Sequence, residues 1–115
     1  MSAVDAGIYA GAGWFKALVA AARNTVPTAR FSEILDCGDH AGAVQAALRA
    51  GIAAVIFTGR SDVAERLAAI AEQKKLRLLT ARPPHALDLA VDVFADAETL
   101  RRRCADVLAS LSPIC

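Results

Sequence analysis

Charge of either sign is in short supply as an excess. The chain sets 13 Lys and Arg against 12 Asp and Glu, a net charge of +1 over 115 residues. That balance excludes the basic footprint of a nucleic-acid binder and the block of like charge found in an acidic tail. Long apolar runs are absent too, with nothing near the roughly 18 residues of a membrane span. The first residues lack the basic segment, apolar segment and small-residue cleavage site of a secretory signal. We therefore expect no nucleic-acid partner, no membrane partner and a cytoplasmic location. Cysteine is scarce, and Cys37, Cys104 and Cys115 are odd in number and far apart. Such spacing argues against a disulfide framework and a zinc site, so reduced thiols and no metal are expected. The glycines at 7, 11 and 13 do not spell GxGxxG after a strand. No dinucleotide fingerprint follows, and no cofactor is expected.

What the chain does have is apolar bulk, 56% of its residues. At this length it can bury a core as one domain over residues 1–115. The most informative stretch is 43–61, AVQAALRAGIAAVIFTGRS. Within it IAAVIF, residues 52–57, carries no polar residue and lies between Gly51 and Gly59. A run this short and this apolar predicts a strand covered on both faces, as in a parallel sheet between helices.

Around that strand the pattern alternates. Trp14 opens a helix with Trp14, Phe15, Leu18, Val19 and Ala22 on one expected inner face, stopped by Asn24 and Pro27. Residues 31–36, FSEILD, read as a less buried strand because Glu33 interrupts them. Asp39 is the expected N-cap of a helix to Ala50 whose inner face carries Val44, Ala47 and Leu48. Residues 62–73 form the next helix, with Asp62 and Glu65 as a capping-box variant and Val63, Leu67, Ile70 and Ala71 as its stripe. Residues 76–80 make a further strand, and Pro83-Pro84 breaks the chain. A helical turn at 85–89 and a last strand at 90–94 follow. Asp96 then caps a final helix with Leu100, Cys104, Val107, Leu108 and Leu111 on one face. Residues 4–9 are either a degenerate first strand or a sign that a first βα unit is missing. The alternation predicts one open three-layer α/β/α domain, flavodoxin-like or Rossmann-like in outline, with three to four mostly parallel strands. A half (β/α) barrel is the alternative.

Ligands of parallel sheets bind beyond the carboxyl ends of the strands, where helix N-termini also gather. The residues expected there are Asp36, His40, Thr58, Gly59, Arg60, Ser61 and Arg82. Backbone N–H groups, hydroxyls and guanidinium groups together suit a phosphate or carboxylate. The plainer alternative is a set of polar loops in which Ser61 and Asp62 only cap a helix. Cys37 precedes a helix start, but Asp36 and Asp39 flank it and oppose a thiolate. Asp36, Asp39 and His40 do not make a recognised metal spacing. No catalytic residue is assigned. Two function classes stay open: binding (or weak turnover) of a small anionic metabolite, and a non-catalytic oligomerisation domain. An apolar fraction this high in a short chain, with Trp14 and Phe15 opening a helix, also leads us to expect a homodimer.

The segment AGAVQAALRAGIAAVIFTGRSDVAERLAAIAEQKKLRLLTARPPHALDLAVDVF, about half of the chain, resembles the middle of aldolase-type barrels that include the ketohydroxyglutarate/phosphogluconate aldolases. The resemblance implies βα units of a barrel, which in full needs about twice this length. The Schiff-base lysine of that family belongs at a strand end, whereas Lys16, Lys74 and Lys75 lie on or beside expected helices. As a whole, with AGAGWFKALVAAAR followed by ILDCGD, the chain resembles small uncharacterised bacterial α/β proteins, which implies no particular activity.

Overall fold

The computed structural model describes residues 1–84 and 96–110. In chain order its elements are α1 (Ala6–Tyr9), α2 (Gly11–Thr25), β1 (Ile34–Asp36), α3 (Ala41–Ala50), β2 (Ala54–Ile56), α4 (Ser61–Gln73), β3 (Arg77–Leu79) and α5 (Ala97–Ser110). They fall into two compact units, Met1–Pro83 and Pro84–Cys115. The turn expected at 85–89 and the strand expected at 90–94 lie outside the described residues.

In the first unit the three strands are parallel and lie in the order β1-β2-β3. This is a small α/β domain with an open parallel sheet. Both crossovers step the same way across the sheet, so right-handed connections carry α3 and α4 over one face. There α2 packs beside α3, and α3 beside α4. Successive strand residues point to opposite faces. Leu35 and Val55, paired in register, join Phe15, Val44, Leu48 and Leu67 in the core under those helices. Ala54 and Ile56 point the other way and are buried as well. The central strand is thus covered on both faces, as its composition requires. Gly51 makes the sharp entry possible by ending α3 with a φ of 80°, a conformation that disfavours any side chain.

Each strand is shorter than its apolar run. Just before β1, the Glu33 side chain bonds to the entry of β2, its Oε1 accepting from the Ala53 N–H at 3.1 Å. Its Oε2 accepts from the Arg23 guanidinium of α2 at 2.8 Å. Burial opposes the charge on Glu33, but these bonds and the Arg23 charge outweigh it and hold the carboxyl below its usual range. The Arg23 guanidinium also lies over the Phe31 ring, 4.4 Å from its centre.

Two expectations at the amino terminus need correction. Residues 4–9 are not a strand: α1 is a single helical turn, and the bond to the sheet comes earlier, from the Ser2 N–H to the Ile34 carbonyl at 2.9 Å. Gly7 permits this docking, because a Cβ there would stand 2.5 Å from the Cys37 Sγ. The inner face of α2 is also rotated from the expected one. Phe15 is buried with Ala12 and Val19 packed against the core, whereas Trp14 and Leu18 are 48% and 49% exposed. A helix apolar on several sides does not reveal from its pattern alone which side turns inward.

The second unit contributes α5. Asp96 caps it, accepting from the Thr99 N–H at 2.7 Å. Hydrogen bonds from the Thr99 side chain and N–H hold that carboxyl below its usual range. Leu100, Cys104 and Val107 are half-buried along one face, and Arg101 to Arg103 are exposed.

Two substitutions test this architecture. Val55→Asp puts an unpaired charge between the sheet and its helices, and a loss of several kcal/mol is expected, read by urea denaturation. Glu33→Gln should cost about 1 kcal/mol at pH 7. The lowered pKa of Glu33 sets the sign of the pH effect. The contribution of Glu33 is full above the ordinary carboxylate value of about 4.3 and is lost as pH falls through its lower folded value. The variant's stability should therefore fall less steeply than wild type below about pH 4, seen in denaturation midpoints against pH.

Candidate functional site

Past β2 the chain runs through Phe57, Thr58, Gly59 and Arg60 into α4. Between α4 and β3 lies a cleft of about 400 Å³. Phe57 and Leu78 supply its apolar lining, Ala64, Glu65 and Ala68 of α4 form one wall, and Thr58, Gly59, Ser61 and Thr80 add the polar groups. The space exists because α4 places small residues there: Ala64 and Ala68 are one turn apart and share a helix flank. Gly59 is tied to the same surface, since a Cβ there would run into the Phe57 ring. A side chain at this position would require the tip of the Phe57 ring to move.

The start of α4 differs from the expected capping box. Arg60, not Asp62, occupies the N-cap position, extended at φ −61° and ψ 141°, and its side chain makes no capping bond. Asp62 already lies in the first helical turn and accepts from the Arg60 guanidinium at 2.9 Å. Among the described residues, the N-cap thus gives the opening N–H groups of α4 no side-chain cap of the kind most helix starts recruit. Helix α3 is the contrast. Its N-cap is His40 rather than Asp39, and the His40 Nδ1 accepts from the Ala43 N–H at 3.0 Å. A ring nitrogen that accepts in this way does the work of a carboxylate oxygen, which is how the cap moved by one residue.

Asp36 sits on the opposite side of the sheet. It shares a register row with Ile56 and Leu79, whereas Leu78 pairs with the helix-facing Val55. Its side chain is 2% exposed and pairs with Arg82, and its Oδ1 accepts from the Gly38 N–H at 2.8 Å. The Asp36 N–H donates to the Ser2 Oγ at 2.9 Å, and Arg82 also donates to the Ser2 carbonyl at 3.2 Å. Ser2 therefore satisfies both the Ile34 carbonyl and the Asp36 N–H on the outer edge of β1, standing in for a residue of a further strand.

The structure accordingly divides the seven residues expected at this edge. Thr58, Gly59 and Ser61 meet in the cleft. Arg60 belongs to the same turn, with its side chain 81% exposed and paired to Asp62. Asp36 and Arg82 hold each other on the far face, and His40 caps α3. Phe57, Ala64, Glu65, Ala68, Leu78 and Thr80 line the cleft without having been expected at a ligand site. The available signal was the spacing of Ser61, Glu65 and Ala68, which share a helix flank at i, i+4 and i+7. Cys37 is buried, and burial, reinforced by the neighbouring Asp36 charge, pushes its thiol up to about 12. It stays protonated at neutral pH and is not an available nucleophile.

Comparison with protein-family models, with curated proteins and with solved structures gave no match.

The pair on the far face predicts an asymmetry. Arg82→Ala leaves a carboxylate buried and uncompensated and should cost about 3 kcal/mol or more. Asp36→Asn removes the charge itself, while the partly exposed Arg82 can turn to water. Its cost should be smaller by at least about 1 kcal/mol. Adding Asp36→Asn to Arg82→Ala should restore part of the lost stability, as measured by a double-variant denaturation cycle.

Proposed function

We propose that the domain binds a small phosphate- or carboxylate-bearing molecule in the cleft between α4 and β3. The observation that carries this reading is the coincidence of two features. One is a 13-residue helix whose N-cap side chain makes no capping bond, and the other is a cleft of about 400 Å³ bearing the Thr58 and Ser61 hydroxyls beside that helix start. Helix N-termini favour anions through free N–H groups and the aligned peptide dipoles. The volume lies within the range of sites for small ligands. Arg60 can join at little cost, since an exposed pair with Asp62 is worth little in water. Asp36, His40 and Arg82 take no part, because each is already committed to a structural bond.

Glu65 narrows the ligand. It lies four residues, about 6 Å, along α4 from Ser61, and its carboxylate disfavours a second negative group at that depth. The ligand that fits has one anionic end, an apolar or ring-like body against Phe57 and Leu78, and a hydroxyl or amino group for Glu65 or Thr80.

Ser61→Asp tests this directly. An acidic residue in the first turn suits the helix dipole, so the variant should fold with unchanged or slightly greater stability. The new carboxylate would occupy the anion position and repel its ligand. At tenfold over the dissociation constant a ligand adds about 1.4 kcal/mol to the wild type, a rise of several degrees in melting temperature. Millimolar phosphate or a sugar phosphate should give that rise, measured against chloride of equal ionic strength, and Ser61→Asp should abolish it. Equal shifts in both proteins would mark a general salt response and refute the site.

A further inference from the structure

The cleft between α4 and β3 is bordered by a charge that the protein itself does not answer. Among the described residues, Glu65 is the one charged side chain lining the cleft, and it makes no ion pair and no hydrogen bond. The sequence of α4 explains why. The positions one turn away from Glu65 are Ser61, Asp62, Ala68 and Ala69, none of them a cation. Arg66 lies about 100° round the helix, and Arg60 is held by Asp62 at 2.9 Å. Across the cleft stand Phe57, Leu78 and Thr80, again without a cation.

The place of that carboxylate matters as much as its isolation. Helical side chains lean toward the N-terminus of their helix, so Glu65 leans back toward Ser61 and the turn that starts α4. One cleft therefore combines a helix start that favours an anion with a carboxylate that favours a cation. Residues 61 and 65 are about 6 Å apart along the axis, and the lean of Glu65 shortens the gap between the two charges. Leu78 and Thr80, two residues apart on one face of the strand, add an apolar surface and a neutral hydroxyl but no competing charge.

We propose that the molecule held in this cleft is a small zwitterion. Its primary ammonium group donates to the Glu65 carboxylate, and its phosphate or carboxylate lies at the turn from Thr58 to Ser61. This rests on the reading of the cleft as an anion site and adds a second charge to it. A spacer of about two or three carbons, at about 1.5 Å per bond, spans the distance. An aminoalkyl phosphate or an amino acid of that length satisfies both ends of the cleft. A ligand with negative charge at both ends meets Glu65 with its like and is excluded.

The test compares ligands that carry an ammonium group with ones that carry a methyl group in its place, by melting-temperature titrations of the full chain at fixed ionic strength. 2-Aminoethyl phosphate is set against propyl phosphate, and β-alanine against butyrate, so the two pairs also report which anion the turn accepts. In at least one pair the ammonium compound is expected to bind about fivefold tighter or more, as a charge-assisted hydrogen bond beside an apolar wall requires. Glu65→Gln should erase that preference, weakening the ammonium compound and strengthening the plain anion. Glu65→Ala, a substitution that suits a helix, should do the same, with circular dichroism checking that both variants fold. Plain anions that bind as tightly as their ammonium counterparts overturn the zwitterion and leave the anion site standing. A preference that survives in both folded variants does so equally. No binding by any of these compounds at about 10 mM overturns the anion site and the zwitterion together.

Discussion

A carboxylate taken out of water has to be neutralised where it stands, and Asp36 is neutralised by a residue 46 positions further along the chain. That pairing draws together three places that the sheet alone does not connect. Arg82 brings in the segment after β3, Ser2 brings in the amino terminus, and Gly38 closes the turn that leads to α3. The cost of leaving such a charge unpaired is several kcal/mol, a large part of the stability of a domain this size. The loops at this edge of the sheet are held by that requirement.

The same pair also decides what the edge can offer a ligand. Because the strands alternate, Asp36 and Arg82 face one side while Phe57, Leu78 and Thr80 open on the other. Strand order matters as well. The crossovers among the described strands run in one direction, without the reversal that opens a crevice at a switch point. The available space is therefore beside α4, where two alanines leave room that larger side chains would fill.

Much of this is legible in the residues. IAAVIF admits few explanations, since six apolar positions between glycines cannot face water on either side. Ala47, Leu48, Leu67 and Ala71 announce their inward faces by helical spacing. The helix caps are harder, because several polar residues near a helix start compete, and an imidazole or an extended arginine can take the position expected of an aspartate. The turn of α2 is illegible for another reason: two stripes compete for the core, and adjacent aromatics at 14 and 15 point about 100° apart. The Asp36–Arg82 pair leaves no local trace at all. A long-range ion pair is invisible to periodicity, and so the two residues looked like members of one ligand site.

The arrangement of the sheet also sets how far along the chain each contact reaches. Each strand pairs with the next across only about twenty residues, from Ile34 to Ala54 and from Ala54 to Arg77, so these ladders close short loops. The bond from Arg82 to Ser2 spans 80 residues and is available only once all three strands are in place. A contact of that kind closes a far longer loop than either ladder does, at a correspondingly larger entropic cost. The amino-terminal residues thus tie the two ends of the first unit together across a sheet whose own pairings are all between neighbours.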